Sequence, residues 1–312
     1  MIADKSAPAR VEHAFRRNER RLWGIAYRLT GSAADADDIV QEAFARLAER
    51  PPKLGAPLDA WLVRVAVNLG LDALRRRRRR SYPGTWLPSP VVLDEDAPVE
   101  SAGARYDRLE SASSAFLLAM EALPPRRRAV LILCDAFDYS AQEAADVLGM
   151  TAANVRMTLT RARRAMAAYD GARALRSGSS RAAVRRSLEA FFACLREGDG
   201  AALEALLARD VRAMGDGGGE FATLPVPIVG RRRVKQFFVS LGRRLSASGP
   251  FDLDIRLLNG MPAAVLRVAG AHPPYASRIV VQCELDAEGL IAEIRSVLAS
   301  RKLTELGAAR RR

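Results

Sequence analysis

Apolar residues recur at three- and four-residue steps through the first half of the chain and at two-residue steps through much of its last third, so helices should precede strands. From Val11 to Leu29, a stripe of Phe15, Leu22, Ile25, Ala26 and Leu29 predicts a helix that Gly31 stops. Ser32 with Asp35 predicts a capping box for the next helix, on which Ile39, Val40, Ala43, Phe44 and Leu47 face inward. Asp37, Asp38, Gln41 and Glu42 then form a polar strip on the other side. Pro51, Pro52, Gly55 and Pro57 make a stiff loop. A third helix follows, with Trp61, Leu62, Val65, Ala66, Leu69 and Ala73 as its core face, and it ends in Arg75 to Arg80.

The pattern then breaks. Tyr82-Pro83-Gly84 and Trp86-Leu87-Pro88-Ser89-Pro90 are incompatible with regular helix, and Asp94 to Pro98 reads as acidic and extended. Trp86 is a large ring among prolines, readable either as a local staple over a core edge or as a peptide motif that docks on another domain. Helices are predicted from Ser111 to Leu123, up to Pro124-Pro125, and from Arg126 to Ala136. Ser140 to Ala168 reads as a helix-turn-helix. Ser140 and Glu143 make a capping box, with Ala141, Ala144, Ala145 and Leu148 as its small and apolar positions. Gly149 supplies the turn, and Thr151 caps a second helix with a core stripe of Val155, Leu159, Ala162 and Met166. The other face of that helix carries Asn154, Arg156, Thr158, Arg161, Arg163 and Arg164 without an acid, the polarity suited to a major groove.

From residue 181 onward the pattern is of another kind. Helices are predicted at Arg181–Arg196, Ala201–Leu207 and Gly230–Leu245, with a short strand at Val211–Asp216. Strict alternation in Phe251–Leu257, the Asn259-Gly260 turn, Ala263–Val268, Ile279–Leu285 and Leu290–Val297 predicts a curved antiparallel meander, an α+β cone.

Charge sharpens this picture. The chain holds 49 Lys+Arg against 36 Asp+Glu, a net charge of +13, which favours a polyanionic partner. Residues 31–50 nevertheless carry five acids and two bases, whereas residues 61–80 carry seven Arg and one Asp. Such segregation implies two surfaces for two partners, one basic and one a polyanion. Cys134, Cys194 and Cys283 lie far apart among apolar neighbours, without metal-ligand spacing, and are expected to be buried thiols in a reducing cytosol. No apolar run of about 18 residues is present, so no membrane span is expected; residues 1–15 lack the apolar core of a signal peptide, and neither a metal nor a cofactor is expected.

Asp37-Asp38-Ile39-Val40-Gln41-Glu42-Ala43-Phe44, then Ala60-Trp61-Leu62 with Asn68 and Asp72-Ala73-Leu74-Arg75-Arg76, then Leu123-Pro124-Pro125-Arg126-Arg127-Arg128 and the helix-turn-helix resemble, in order and spacing, the bacterial extracytoplasmic function (ECF) sigma factors. The resemblance spans roughly residues 8 to 168 and implies two all-α domains, a helical bundle and a helix-turn-helix, before the α+β cone. The expected boundaries are sigma domain 2 at 8–80, a linker at 81–110, sigma domain 4 at 111–170 and a third domain at 181–300. By the same resemblance, Asp38, Gln41 and Glu42 contact the β′ clamp helices of RNA polymerase core, and domain 4 meets the β flap. The Glu49–Pro57 loop with Arg64 and Asn68 reads the −10 promoter element, while Arg75, Arg76, Arg77 and Arg78 hold phosphates. Asn154, Arg156, Met157, Arg161 and Arg164 face the −35 element.

The element order after residue 181 resembles the SnoaL-like members of the NTF2-like superfamily, and the whole chain resembles ECF sigma factors fused to such a domain. That subgroup carries Trp-Leu-Pro-Glu-Pro in the linker and Asp-Gly-Gly-Gly-Lys in the extension. Here Trp86, Leu87 and Pro88 precede Ser89, and Asp216, Gly217, Gly218 and Gly219 precede Glu220, so a Glu–Lys pairing between the two motifs cannot form. A further signature, Asn-Pro-Asp-Lys-Leu, is reduced to Arg301-Lys302-Leu303. The resemblance implies a cytoplasmic, non-enzymatic initiation factor whose C-terminal domain docks on the linker and the helical domains and regulates in cis; an unidentified small ligand in that domain stays open. Two alternatives also stay open: a helix-turn-helix regulator with a small-molecule sensor, and a SnoaL-like enzyme using Asp216 and His272. The acidic strip and the Trp61 helix argue against the regulator, and the lack of an orienting partner for His272 argues against the enzyme.

Overall fold

Local capping sets the helix boundaries. Ser32 Oγ accepts from the Asp35 N–H at 3.2 Å, so α2 (Ala33–Glu49) starts one turn after α1 (Ala7–Thr30) ends. The expected box is only half formed, because the Ser32 N–H goes to Thr30 Oγ1 at 3.3 Å. The computed structural model describes residues 7–53, 57–80, 82–93, 104–176, 180–247 and 251–306. The acidic linker segment 94–98 and the loop positions 54–56 lie outside the described residues. The chain packs as two units, Met1–Ser81 with Asp96–Ala167, and Tyr82–Glu95 with Ala168–Arg312.

In the first unit α3 (Leu58–Arg79) packs on α1 and α2 through Leu62, Val63, Ala66, Val67, Gly70, Leu71 and Leu74. This face is rotated from the expected one, and Trp61, Val65, Leu69 and Ala73 are only half-buried. Gly70 explains the rotation: a Cβ there would lie 2.5 Å from Leu29 Cδ2, so the closest approach of α3 to α1 runs along the glycine. The helix expected from Ser111 to Leu123 is two pieces, α4 (Arg108–Ser111) and α5 (Ser114–Met120), because Ser113 caps the second by accepting from the Phe116 N–H at 3.1 Å. Pro124-Pro125 then starts α6 (Pro125–Leu131), which continues as a π-helical turn (Ile132–Ala136). The helix-turn-helix is α7 (Ala141–Leu148) and α8 (Ala152–Ala165). The Ser140–Glu143 box is complete, and Gly149 sits at φ 62°. Val147 is buried where Leu148 was expected to be.

Glu121 ties these helices together. Its carboxylate accepts from Arg128 Nη1 at 2.7 Å and from Arg77 Nη2 at 2.6 Å, while the same two guanidinium groups donate to the carbonyls of Leu29 and Thr30. Burial lowers the pKa of the Arg128 guanidinium, and Glu121 opposes that shift. In the second unit, α9 (Ala167–Arg176) leads to α10 (Arg181–Glu197) and α11 (Gly200–Leu206). These are followed by β1 (Leu207–Asp216), β2 (Ile228–Val229), α12 (Arg231–Ala247), β3 (Phe251–Leu258), β4 (Met261–Val268), β5 (Arg278–Leu285) and β6 (Ile291–Val297). The sheet order is β2-β1-β6-β5-β4-β3. The expected meander β3 to β6 is antiparallel, but β1 joins β6 in parallel, so the sheet is mixed. Helices before a mixed sheet agree with the NTF2-like expectation. One sheet face is filled from the helix side by Phe191, Phe192, Phe238, Leu266, Val281 and Ile294.

Replacing Glu121 by Ala leaves Arg128, 3% exposed, without its counter-charge. Urea unfolding of the Glu121→Ala protein should show a loss of about 3 kcal/mol in the first unit. Removing the exposed Glu12 partner of Arg16 should change the midpoint little.

Candidate functional site

Three sets of residues carry candidate chemistry, two in the first unit and one in the second. On α2, Asp38, Gln41 and Glu42 are all exposed, with Glu42 accepting from Arg46 Nε at 2.8 Å. Asp37 does not belong to that open strip, because it accepts from Trp23 Nε1 at 2.7 Å. On α8, Asn154, Arg156, Met157, Arg161 and Arg164 are exposed together, and Met157 is 49% accessible. Arg163 is turned away and pairs with the buried Asp135 at 2.6 Å. Capping fixes the start of this helix, since Thr151 Oγ1 accepts from the Asn154 N–H at 3.2 Å.

The basic residues of α3 do not form one surface. Asn68, Arg76 and Arg78 are exposed, and Arg75 pairs with Asp72 at 2.6 Å. Arg77 is half-buried on Glu121 and the Thr30 carbonyl, because α3 passes close to α1 and α5 at that turn. Arg64 donates to the backbone carbonyl of Asp146 near the end of α7. Of the five α3 arginines expected to meet promoter DNA, Arg64 and Arg77 are thus occupied by other helices of the first unit.

The third set centres on Asp216, at the end of β1, 1% exposed. Its Oδ1 accepts from the Tyr82 hydroxyl at 2.5 Å and from the Gly218 N–H at 3.0 Å. Its Oδ2 accepts from the Leu87 N–H at 2.8 Å and from Lys302 Nζ at 2.5 Å. Lys302 also donates to the Leu87 carbonyl, and its ammonium lies 4.4 Å from the Trp86 ring centre and 4.8 Å from that of Tyr82. A carboxylate with four donors and an ammonium between two aromatic faces are both well compensated for burial. Residues 87–91 are buried, and the Val91 carbonyl accepts from the Asn259 N–H at 2.8 Å. The Trp86 ring packs within the second unit, against the Lys302 ammonium.

The glycines after Asp216 are required by space. A Cβ on Gly217 would fall 2.2 Å from the Phe221 carbonyl oxygen, and Gly218, at φ +62°, would meet the Ala299 side chain at 2.8 Å. Tyr82 and Lys302 were not among the expected contacts. The only signal for Lys302 was the Lys-Leu remnant of the third signature. With Glu at 220 and Ser at 89, no ion pair joins those two positions; Lys302 supplies the cation instead, and it reaches Asp216 itself. His272 is exposed in the β4–β5 loop and is not among the partners of Asp216, so no acid–base pair forms. Among the thiols, Cys134 is half-buried, not fully buried as expected. Burial pushes its pKa up to about 11 and that of Cys283 up to about 12, which makes both poor nucleophiles.

Residues 14–80 match the Sigma-70 region 2 family and residues 113–166 the Sigma-70, region 4 family. The chain is 38% identical over 246 residues to the ECF RNA polymerase sigma factor SigJ of Mycobacterium tuberculosis, covering 77% of this chain and 76% of SigJ. SigG of the same organism is 36% identical over 167 residues, covering 46% of this chain and 44% of SigG. The crystal structure of Mycobacterium tuberculosis SigJ superposes with a TM-score of 0.69 at 29% identity, covering 94% of this chain and 98% of SigJ. Among the described residues, no helix is long and apolar enough to cross a membrane.

Lys302→Met should strand a buried carboxylate and cost about 3–5 kcal/mol in unfolding of the second unit. Adding Asp216→Asn should recover part of that loss, giving a coupling energy above about 1 kcal/mol. Strictly additive losses would show that the two charges do not sense each other.

Proposed function

The chain belongs to the ECF family of RNA polymerase sigma factors, and from that premise we propose that its C-terminal domain regulates promoter use in cis by holding the interdomain linker. The family is not an enzyme class; its members direct core polymerase to promoter DNA. In our reading the exposed Asp38, Gln41 and Glu42 strip meets the basic β′ clamp helices, domain 4 meets the β flap, and α8 enters the major groove of the −35 element. Asn68, Arg76 and Arg78 remain open for the −10 region and its phosphates, with Arg64, Arg75 and Arg77 joining them after their internal partners are released. The protein works where polymerase and chromosome are, in the bacterial cytoplasm. We assign the domains to residues 8–80, 81–110, 111–170 and 181–300.

The observation that carries the regulatory reading is the burial of the linker backbone at Leu87 between Asp216 and Lys302. A segment that only joined two DNA-binding domains would be expected to stay solvated. Held this way, the linker has less freedom to let the helical domains adopt the separation that promoter binding requires. Asp216 with all four acceptor positions used is a poor general base, which supports a non-catalytic C-terminal domain.

Run-off transcription with core polymerase tests this. Lys302→Met should change promoter output severalfold relative to wild type while the helical signal persists; unchanged output means the clamp does not regulate. In a separate assay, a protein with Asp38→Lys, Gln41→Ala and Glu42→Lys should fail to co-purify with core yet melt normally. Arg156→Ala should relax preference at one −35 position at a cost of about 1–3 kcal/mol. Identical binding profiles for that variant and wild type would remove α8 as the reader.

A further inference from the structure

On the sheet face away from the helices, the second unit has a cavity of about 310 Å³, at the lower end of the range for small-ligand sites. Arg267 of β4 and Arg278 of β5 are direct cross-strand partners, and both line it. Leu266 and Ile279 next to them belong to the helix-side core, so the two arginines project to the opposite face. Like charges placed opposite one another on neighbouring strands repel. Arg267 has Asp252 at 2.8 Å on the exposed side of β3, whereas Arg278 donates to the neutral Leu303 carbonyl at 3.3 Å. Ser277, Ser300 and Thr304 add hydroxyls, and among the described residues no acid lines the cavity. Phe221, Leu298 and Leu303 give it an apolar wall.

Two guanidinium groups, three hydroxyls and an apolar wall match a ligand with an anionic head and a hydrophobic body. We propose that this cavity binds a small molecule carrying a phosphate or carboxylate on an apolar, ring-sized body. A guanidinium donates paired hydrogen bonds to either oxyanion, and an anion between Arg267 and Arg278 relieves their repulsion. Leu298 to Thr304 forms one side of the cavity, and Lys302, inside that segment, clamps the linker. The site therefore lies one turn from the contact assigned to regulation, although binding itself does not depend on that assignment.

Calorimetric titration of the full chain tests the proposal with phenyl phosphate, benzoate, inorganic phosphate and the neutral benzyl alcohol. Phenyl phosphate or benzoate should bind with one-to-one stoichiometry and more tightly than inorganic phosphate or the alcohol. The relative affinities of the first two identify the head group. Arg267→Gln with Arg278→Gln should weaken binding by roughly tenfold or more while the melting curve stays cooperative. Arg244→Gln on α12, which does not line the cavity, should leave it unchanged. Should both arene anions fail to bind at about 10 mM, bind no better than benzyl alcohol, or bind the double variant as they bind wild type, the assignment is wrong.

Discussion

A carboxylate and an ammonium taken out of water together impose strict terms on everything around them. Asp216 and Lys302 are each nearly or fully buried, and the desolvation of two such ions is repaid only when every remaining hydrogen-bonding position is filled. Four donors complete Asp216, and a carbonyl with two aromatic faces completes Lys302. Three of these groups, Tyr82, Trp86 and the Leu87 backbone, come from the linker. The pair keeps its full set of partners only while the linker is in place, and a shift of the linker would remove the Tyr82, Leu87 and aromatic contacts together, leaving the two ions with only each other and the Gly218 N–H. This makes the linker's attachment cooperative.

The terms reach further through the glycines. Gly217 must lie against the Phe221 carbonyl and Gly218 must adopt a positive φ for the Asp216 carboxylate to receive the Gly218 N–H. The carbonyl of Asp216 in turn accepts from the Leu298 and Ala299 N–H groups, which orients the segment that presents Lys302. The residues at 216–218 and 298–302 thus form one hydrogen-bonded unit around a single ion pair. Buried ion pairs are weak evidence for stability but are well suited to specifying one arrangement against others, and here the arrangement specified is that of the linker between the segments that match Sigma-70 regions 2 and 4.

Much of this was legible in the residues, and the exceptions have physical causes. The caps at Ser140, Thr151 and Ser32, the turn at Gly149 and the hairpin at Asn259-Gly260 are local signals, and each appears where the sequence put it. The core face of α3 agrees with the expectation at Leu62 and Ala66 but is turned toward Val63, Val67, Gly70, Leu71 and Leu74, because the close approach to α1 runs along Gly70, which hydrophobicity alone ranks low. The parallel β1–β6 pairing and the two-residue β2 depend on contacts between distant segments, about which alternation says nothing. Lys302 was passed over for the same reason: 86 residues separate it from Asp216, and its own neighbourhood reads as an ordinary basic turn.

The arginines expose a related limit. Counting seven of them from residue 61 to 80 predicts a polyanion-binding surface, yet three are already engaged: Arg77 on Glu121, Arg64 on a carbonyl of α7, Arg75 on Asp72. Net charge is set by composition, whereas available charge is set by packing. The engaged groups differ in how firmly they are held. Arg75 sits in an exposed i,i+3 pair, which water and salt readily replace, while Arg77 shares a carboxylate with the buried Arg128. Releasing Arg77 to a phosphate leaves Glu121 with Arg128 alone, a pair that is still neutral and still hydrogen-bonded. The bridge is thus built so that one arm can leave without stranding a buried charge, and that arm is the one on the helix expected to meet promoter DNA.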